Sequence, residues 1–422
     1  MKTETIGMPA RLPLEEISQF VLEEKSRVSG RFGEILVRSA FQPIYSLAHR
    51  RPVGFEALLR PYSEERLLSP LALFSTVKED SESVMLDRLC RLVHVRNFLL
   101  QGDETSWIFL NINPKVTVVG RRYGEFFASL LEENCVAPHR VVVEILESQI
   151  QDEALLSDAV SYYKELGCLV AIDDFGSGES NFDRLWRIGP HIVKLDRSII
   201  SQAATNLKVR RVVPNLIKLI HETGSLALME GVENEDEAMI SMNSGADFVQ
   251  GYYFARPAEM LSEASKGVAA LLGICEKFKQ VSVREQDQYQ KELGPYIKAF
   301  EGMVRLLSAS IDMKKASADF LQLARAERCF VLDNEGRQLG SSFVSDKTLC
   351  TEDPRFLPLH DAKDAIWLRR HYFRRAIAKP GEVQISRPYL SIASGNMCVT
   401  LSIALEGENA RLVLCGDIFW DD

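Results

Sequence analysis

None of the eight cysteines in this 422-residue chain has a partner at knuckle or redox spacing. They stand singly at 90, 135, 168, 275, 329, 350, 398 and 415. Several, such as Cys168, Cys329 and Cys415, lie inside apolar runs, where a free thiol behaves as a small hydrophobe. Unpaired thiols in a chain this long imply a reducing compartment, and the expectation is a cytoplasmic protein. The seven histidines show no ligand spacing, which disfavours zinc. No run of ~18 apolar residues exists, so no membrane span is expected. The N-terminal stretch also lacks the apolar core of a signal peptide. Positive charge is not in excess: the formal net charge is −9, which argues against a nucleic-acid partner. A Gly-x-Ser-x-Gly elbow and a Cys/His pair are both missing, so acyl transfer is unsupported. There is neither an internal repeat nor a low-complexity tract.

What remains is a chain of ordinary globular composition, 46% hydrophobic and 26% charged, long enough for two domains. Its first 250 residues carry seven short apolar runs that each end on a residue able to grip a metal or a phosphate. Pro52 to Phe55 ends on Glu56, Trp107 to Leu110 on Asn111, and Val141 to Val143 on Glu144. Cys168 to Ile172 ends on Asp173-Asp174, and Ile192-Val193 on Lys194. Leu226 to Met229 ends on Glu230, and Phe248-Val249 on Gln250. With Phe41 to Tyr45 as the first, the strand runs number eight. Helix-like stretches alternate with them at 71–99, 125–134, 152–166 and 206–222. This pattern predicts an α/β fold, a TIM-like (β/α)8 barrel whose functional groups sit at strand C-termini on one face. An open doubly wound sheet is disfavoured because no Gly-rich phosphate turn follows the first strand.

The expected domains are an N-terminal helical segment over 1–30, the barrel over 31–260, a helical linker over 261–324 and a small α+β domain over 325–422. Residues 14–37 read as an amphipathic helix leading into the first strand. Two long helices are expected at 258–279 and 286–324, broken near Val281-Ser282-Val283, with Pro295 kinking the second. After Arg325 the pattern turns antiparallel, with a turn at Asp333 to Gly336 and strands near 329–332, 337–339, 382–386, 389–392, 398–404 and 411–415. Arg369, Arg370, His371, Arg374 and Arg375 form a basic cluster that could bind an anion but more often is a solvated helix face.

Five carboxylates at one barrel mouth would repel one another and be costly to desolvate. Divalent Mg²⁺ or Mn²⁺, which take oxygen ligands, resolve the conflict, and a neutral Asn carbonyl fits among them. An Asp-Asp pair at a strand end suits a two-metal site, and two cations ~3.5–4 Å apart suit phosphodiester hydrolysis. Read alone, Asp173-Asp174 before Phe175-Gly176-Ser177-Gly178 is equally a turn with helix capping, and Lys194 with Asp196 a structural ion pair. The set of strand ends, not any single one, carries the reading.

From about Phe41 to Pro257 the sequence resembles the EAL-domain cyclic di-GMP phosphodiesterases. The match includes Glu56-Ala57-Leu58-Leu59-Arg60, Asn111-Ile112-Asn113-Pro114 and Glu144-Ile145-Leu146-Glu147. It continues through Asp173-Asp174-Phe175-Gly176-Ser177-Gly178, Lys194-Leu195-Asp196, Glu230-Gly231-Val232-Glu233 and Gln250-Gly251-Tyr252-Tyr253-Phe254. The resemblance implies a cytoplasmic, homodimeric enzyme that hydrolyses cyclic di-GMP to linear pGpG with Mg²⁺ or Mn²⁺. It implies Glu56, Asn111, Glu144 and Asp173 as ligands of one metal, and Asp173, Asp174 and Glu230 as ligands of a second. Lys194, Glu230 and Gln250 would be the catalytic groups, while Gln42, Leu58, Arg60 and Asp196 would bind substrate. Glu147, Gly176 and Gly178 would hold the loop at 174–180.

Leu146, Glu179 and Met229 depart from the family's usual Thr, Tyr and Ala, and Ser177 is a milder change from Thr. A receptor that binds cyclic di-GMP without turnover is the second reading. No Gly-Gly-Asp-Glu-Phe cyclase signature occurs, so synthesis of the dinucleotide is not expected. The C-terminal segment resembles PAS-like or Cache-like sensor domains, which implies regulation by an unknown small ligand or protein partner.

Overall fold

The computed structural model describes residues 11–112, 114–120, 125–146, 153–178, 182–309, 312–346, 358–359, 361–406 and 411–420. The chain divides into two compact units, Met1–Val281 and Ser282–Asp422. Among the described residues no helix is long and apolar enough to cross a membrane.

Among the described residues the first unit has eleven strands. Three precede the long hairpin's second arm: β1 (Val21–Glu24), β2 (Arg27–Phe32) and β3 (Ile35–Ser46). Then come β4 (Arg51–Ser63), β5 (Arg66–Leu67), β6 (Trp107–Asn111), β7 (Val141–Leu146) and β8 (Leu169–Phe175). The last three are β9 (Ile192–Leu195), β10 (Leu226–Met229) and β11 (Phe248–Val249). Hydrogen bonding runs β3-β11-β10-β9-β8-β7-β6-β4, and β3 pairs with β4 to close the ring. Eight strands thus form the barrel. Its strands from β4 to β11 are mutually parallel, whereas β3 runs antiparallel to both neighbours. The direction of β3 follows from its connection: only four residues separate it from β4, enough for a hairpin but not for a crossover helix.

The barrel interior is plugged by one apolar side chain from each of seven strands: Ile44, Phe109, Val142, Ala171, Ile192, Leu228 and Phe248. The eighth strand contributes Gly54, where an added Cβ would meet the Phe109 ring at 2.6 Å. A large ring from β6 therefore fills the space that β4 leaves open. β7 is buried along almost its whole length, because helices cover the outside and side chains fill the inside.

Helices lie at Pro70–Ser75, Asp80–Leu100, Phe127–Glu133, Glu153–Glu165 and Leu207–Glu222, close to the expected spans. The span expected at 71–99 is two helices. Ser69 caps the first through Ala72 N, and a Glu79/Glu82 capping box starts the second. Two expectations fail. Residues 14–37 are not one helix: helix covers only Leu14–Ser18, and the rest forms the β1–β2 hairpin and the start of β3. Gly30 and Gly33 penalise a helix there, and a side chain at Gly30 would meet Leu89 at 2.9 Å. The expected break at 281–283 is likewise absent, and one helix runs from Ser265 to Ser308 with Pro295 inside it. Two valines lower helix propensity only slightly and cannot stop a helix.

The linker reading of 261–324 also changes. Leu293, Tyr296, Phe300 and Met303 are buried in the core of the second unit, so the later half of that helix is part of the unit it was expected to tether. The second unit's sheet comprises β12 (Ala326–Leu332), β13 (Phe343–Val344), β14 (Gln384–Ile385), β15 (Tyr389–Leu390), β16 (Met397–Glu406) and β17 (Arg411–Phe419). Its order is β13-β12-β17-β16-β14, with β15 also on β16 and every pairing antiparallel. Residues 337–339 make only isolated bridges rather than a strand. Alternation along β12 sends Cys329 to the core beneath the long helix and Phe330 with Leu332 to the opposite face, under the helix His371–Ala378.

Candidate active site

A strand repeats every two residues, so the side chain two positions beyond each barrel plug points inward, one layer higher. That single rule places the site. Phe109 leads to Asn111, Val142 to Glu144, Ala171 to Asp173 and Ile192 to Lys194. Leu228 leads to Glu230, Phe248 to Gln250 and Gly54 to Glu56. On β3, which runs the other way, the step is backwards, from Ile44 to Gln42. Gln42 and Glu56 are accordingly direct cross-strand partners, as are Asn111 and Glu144.

Asp174 breaks the alternation, since an adjacent residue should face outward. The β8–β9 register shifts between Ile172 and Phe175, and Asp174 takes φ 57°, a left-handed conformation that aspartate tolerates better than most residues. This bulge turns the second carboxylate back to the mouth. Ligand-capable oxygens of Asp173, Asp174 and Glu230 consequently lie within 4.8 Å of one another.

Lys194 stands at the centre, 1% exposed. Its Nζ is 2.5 Å from Glu230, 2.6 Å from Glu144, 2.9 Å from Asp173 and 3.8 Å from Glu56. Burial alone would lower its pKa, but Asp173, Glu144, Glu230 and Glu56 hold it well above the usual lysine range. One ammonium cannot balance four carboxylates. Burial, reinforced by Glu56 and Asp173, pushes Glu144 well above the usual carboxylate range against the pull of Lys194, and Glu230 follows for the same reasons. Asp174 is raised by burial and by Asp173 and Asp196. Although Lys194 is close, both oxygens of fully buried Glu144 and Oε1 of Glu230 lack a hydrogen bond of acceptable angle among the described residues. Unsatisfied buried carboxylate oxygens in a cationic deficit fit divalent metal ions with oxygen ligands.

Glu56 is held on both sides. Asn111 Nδ2 donates to its Oε1 at 3.1 Å, and Gln250 Nε2 to its Oε2 at 2.7 Å. Asn111 thus engages Glu56 through its amide nitrogen, while its carbonyl oxygen is the atom suited to a cation. Gln42 Nε2 donates to Ala255 O at 3.3 Å. Arg60, further along β4, donates to its neighbour Leu59 O, and Leu58 beside it is half-buried. Asp196 makes no ion pair with Lys194 among the described residues. Its carboxylate instead caps the helix Arg197–Thr205 through Ser198 N at 2.9 Å. Gly176, at φ 97°, lies so near Ile199 that a Cβ would sit 2.3 Å from its Cδ1, whereas Gly178 faces open space. Glu147 and Glu179 lie outside the described residues.

Three residues beside the mouth have no role assigned from the sequence, although two of them stand in the motifs quoted above. Arg197, Glu233 and Tyr252 line a groove of about 220 Å³ with Gln42, Glu56, Glu230 and Gln250. Arg197 pairs with Glu233 at 2.6 Å, and the half-exposed Tyr252 ring lies 4.4 Å from the Arg256 guanidinium. Their signal was adjacency, because Arg197 follows Asp196 and Tyr252 lies two residues after Gln250.

Residues 33–257 match the EAL domain model over more than half of the chain. The chain belongs to the EAL-domain family. This EAL protein is similar along most of its length to YkuI of Bacillus subtilis, an EAL-domain protein described as uncharacterized. The two are 24% identical over 384 residues, 87% of this chain and 91% of YkuI. The crystal structure of YkuI, in complex with cyclic di-GMP and calcium, has the same fold, with a TM-score of 0.76 at 22% identity over 92% of this chain and 97% of that one. RocR of Pseudomonas aeruginosa, named a cyclic di-GMP phosphodiesterase, is 31% identical over 223 residues, 51% of this chain and 56% of RocR. PdeF of Escherichia coli, also so named, is 27% identical over 251 residues, 57% of this chain and 33% of PdeF. This EAL protein therefore spans only about a third to a half of the two relatives whose names carry an activity.

Proposed function

We propose that this protein is a metal-dependent phosphodiesterase that hydrolyses cyclic di-GMP to linear pGpG. The observation that carries the reading is the charge deficit at the barrel mouth: four carboxylates from four strands share one ammonium, and Glu144 among them is fully buried. Glu56, Asn111, Glu144 and Asp173 would hold one Mg²⁺ or Mn²⁺, and Asp173, Asp174 and Glu230 a second. When bound, such ions lower the pKa of water and neutralise the charge that builds up on a phosphoryl group.

The chain's own groups supply the remainder. Asn111 and Gln250 clamp Glu56 from opposite sides, so the carboxylate is fixed before substrate arrives and no reorganisation is needed during reaction. Lys194, kept charged by its neighbours, holds positive charge at the reacting phosphate and orients the attacking water through Nζ. Glu230 accepts the proton that the water loses. Oxygen from water joins phosphorus, one ester P–O bond breaks, and the released ribose oxygen takes up a proton. Arg60 suits a phosphate because its planar guanidinium donates two parallel hydrogen bonds. Gln42 and Leu58 would lie beside a guanine. Asp196 fits a substrate role less directly, since one of its oxygens already caps a helix.

The test is incubation of the purified protein with cyclic di-GMP and Mg²⁺ or Mn²⁺, with pGpG followed by chromatography beside a Glu56→Ala control. Product from the wild type alone supports the enzyme. Binding without product would make the protein a receptor.

A further inference from the structure

Tyr45 and Gly267 belong neither to the ligand set nor to the groove, yet both bear on the groove's rim. Tyr45 follows Ile44 on β3 and is fully buried in the core between the barrel and its outer helices. Its hydroxyl donates to Ala264 O at 2.7 Å, at the start of the helix Ser265–Ser308. Its ring centre lies 5.5 Å from that of Phe254. Gly267, in the first turn of that helix, approaches both residues. An added Cβ would lie 2.1 Å from Tyr45 Oη and 2.8 Å from Phe254 O. Any larger residue would have to displace the helix, the tyrosine or the Phe254 backbone.

The backbone that Gly267 touches leads from β11 to the helix and carries Tyr252 on the groove. Phe254 N and Ala255 N both donate to Gly251 O at 3.1 Å, so residues 251–255 form one tight turn. Two ties join this turn and its continuation to β3. Phe41 and Ala258 exchange backbone hydrogen bonds at 2.7 and 3.0 Å, and Ala255 O accepts from Gln42 Nε2 at 3.3 Å. That carbonyl is the one hydrogen-bond partner of the Gln42 side chain among the described residues. Gln250, the clamp on Glu56, is fixed differently. Its N donates to Met229 O at 2.9 Å, and its O accepts from Val232 N at 3.1 Å. Displacing the turn therefore reaches Gln42 and leaves the Glu56 clamp in place.

We propose that Tyr45 and Gly267 are positioning residues for the reaction: they seat the helix on the barrel, and through the turn at 251–255 they set how Gln42 meets the substrate. The inference rests on the cyclic di-GMP phosphodiesterase reading and deepens it. Gln42 lines the groove together with Glu56 and Glu230, so its amide is preorganised only while the Ala255 carbonyl stays where the helix holds it. A released side chain must be ordered again when substrate binds, and that cost falls on binding. The groups that act on the phosphate, Lys194 and Glu230, stand on other strands. Loss of the seat accordingly raises KM and spares kcat.

The experiment uses the full chain and follows pGpG formation over a range of cyclic di-GMP concentrations with Mn²⁺. Gly267→Ala is expected to raise KM about three- to tenfold, with kcat within about twofold of wild type. Tyr45→Phe keeps the ring and loses the bond to Ala264, and should raise KM about twofold or more. It carries the test if Gly267→Ala does not fold. Gly273→Ala, on the same helix with nothing within 4 Å, should match the wild type. The deciding readout is the Gln42→Ala background, where Gly267→Ala or Tyr45→Phe should add nothing to KM while still lowering the thermal midpoint. A KM that rises equally with and without Gln42, an unchanged KM, or a fall in kcat instead overturns the inference. If the wild type binds cyclic di-GMP without cleaving it, the phosphodiesterase reading fails, and the same variants are judged by calorimetric Kd with the same expectations. A wild type that neither binds nor cleaves overturns both.

Discussion

At the barrel mouth one ammonium, Lys194, stands among four carboxylates; on the C-terminal sheet one buried guanidinium, Arg328, stands near two buried carboxylates, Asp417 and Glu327, that accept hydrogen bonds from Thr400 and Ser394. Both regions bury charge, but only at the mouth does one sign outnumber the other. The mouth lacks positive charge, whereas Arg328 and Arg370 are matched in number by Asp417 and Glu327. The contrast also shows in how the charges are placed. Strand ends supply the mouth, which opens beside a groove of about 220 Å³, while strand interiors supply a cavity beside Arg328, lined by Trp367, Tyr372 and Tyr389, which measures about 20 Å³.

Removing a carboxylate from the mouth should have the largest effect. Glu56→Ala or Asp173→Asn is expected to lower the rate of pGpG formation by roughly 10³-fold or more, because several kcal/mol of charge stabilisation go with it. Normal turnover in either variant would remove the mouth from the mechanism.

Removing the ammonium tests the deficit itself. Lys194→Met leaves the carboxylates uncompensated and should cost about 3–5 kcal/mol in urea unfolding with chelator present. Adding Mn²⁺ should recover more stability in the variant than in the wild type. Equal recovery in both would show that Lys194 and cations do not share one charge balance.

Packing around the mouth gives a smaller effect. A Cβ at Gly251 would lie 2.1 Å from Val232 O, so Gly251→Ala is expected to lose about 1–3 kcal/mol. Gly178→Ala, with nothing within 4 Å, should be near neutral in the same thermal melt.

The cavity side is tested by pH. The folded state holds the Asp417 proton up to about pH 7, whereas an unfolded aspartate releases its own near pH 4. Over that window the folded state binds more protons, so stability falls as pH rises, by at most about 1.4 kcal/mol per pH unit from this group. Arg328 and Arg370 oppose the shift and Glu327 adds to it. Asp417→Asn should flatten the slope between pH 5 and 7 in denaturant melts, and an unchanged slope would assign it to other groups.

Most of the mouth was legible in the sequence because strand ends announce themselves: an apolar run stops at a polar residue, and period two fixes which way that residue points. The same rule is blind to direction. Phe41 to Tyr45 reads as a strand either way, and only the short connection to β4 makes it antiparallel. Asp174 was expected at the site, yet nothing in its neighbours specifies the bulge that turns it inward. The N-terminal hairpin is hidden in the sequence because charged residues at 23–27 and 31–34 mimic a helical face, with Gly30 and Gly33 as the local sign against a helix. Arg328 had a readable signal, an arginine inside an apolar strand, but its cross-strand partner lies 89 residues later, beyond any local pattern.

Closing the ring has a consequence for how the chain is made. β3 leaves the ribosome early, yet it waits for β11, and Gln250 reaches Glu56 across 194 residues of sequence. Contacts so distant form late, because chain must be ordered before the pairing rewards it. During synthesis the β1–β4 meander exists as an open edge, with Glu56 held on one side at most. Assembly of the mouth therefore reports completion of the barrel, and a chain stopped before residue 250 would carry most of the ligands without the geometry to use them.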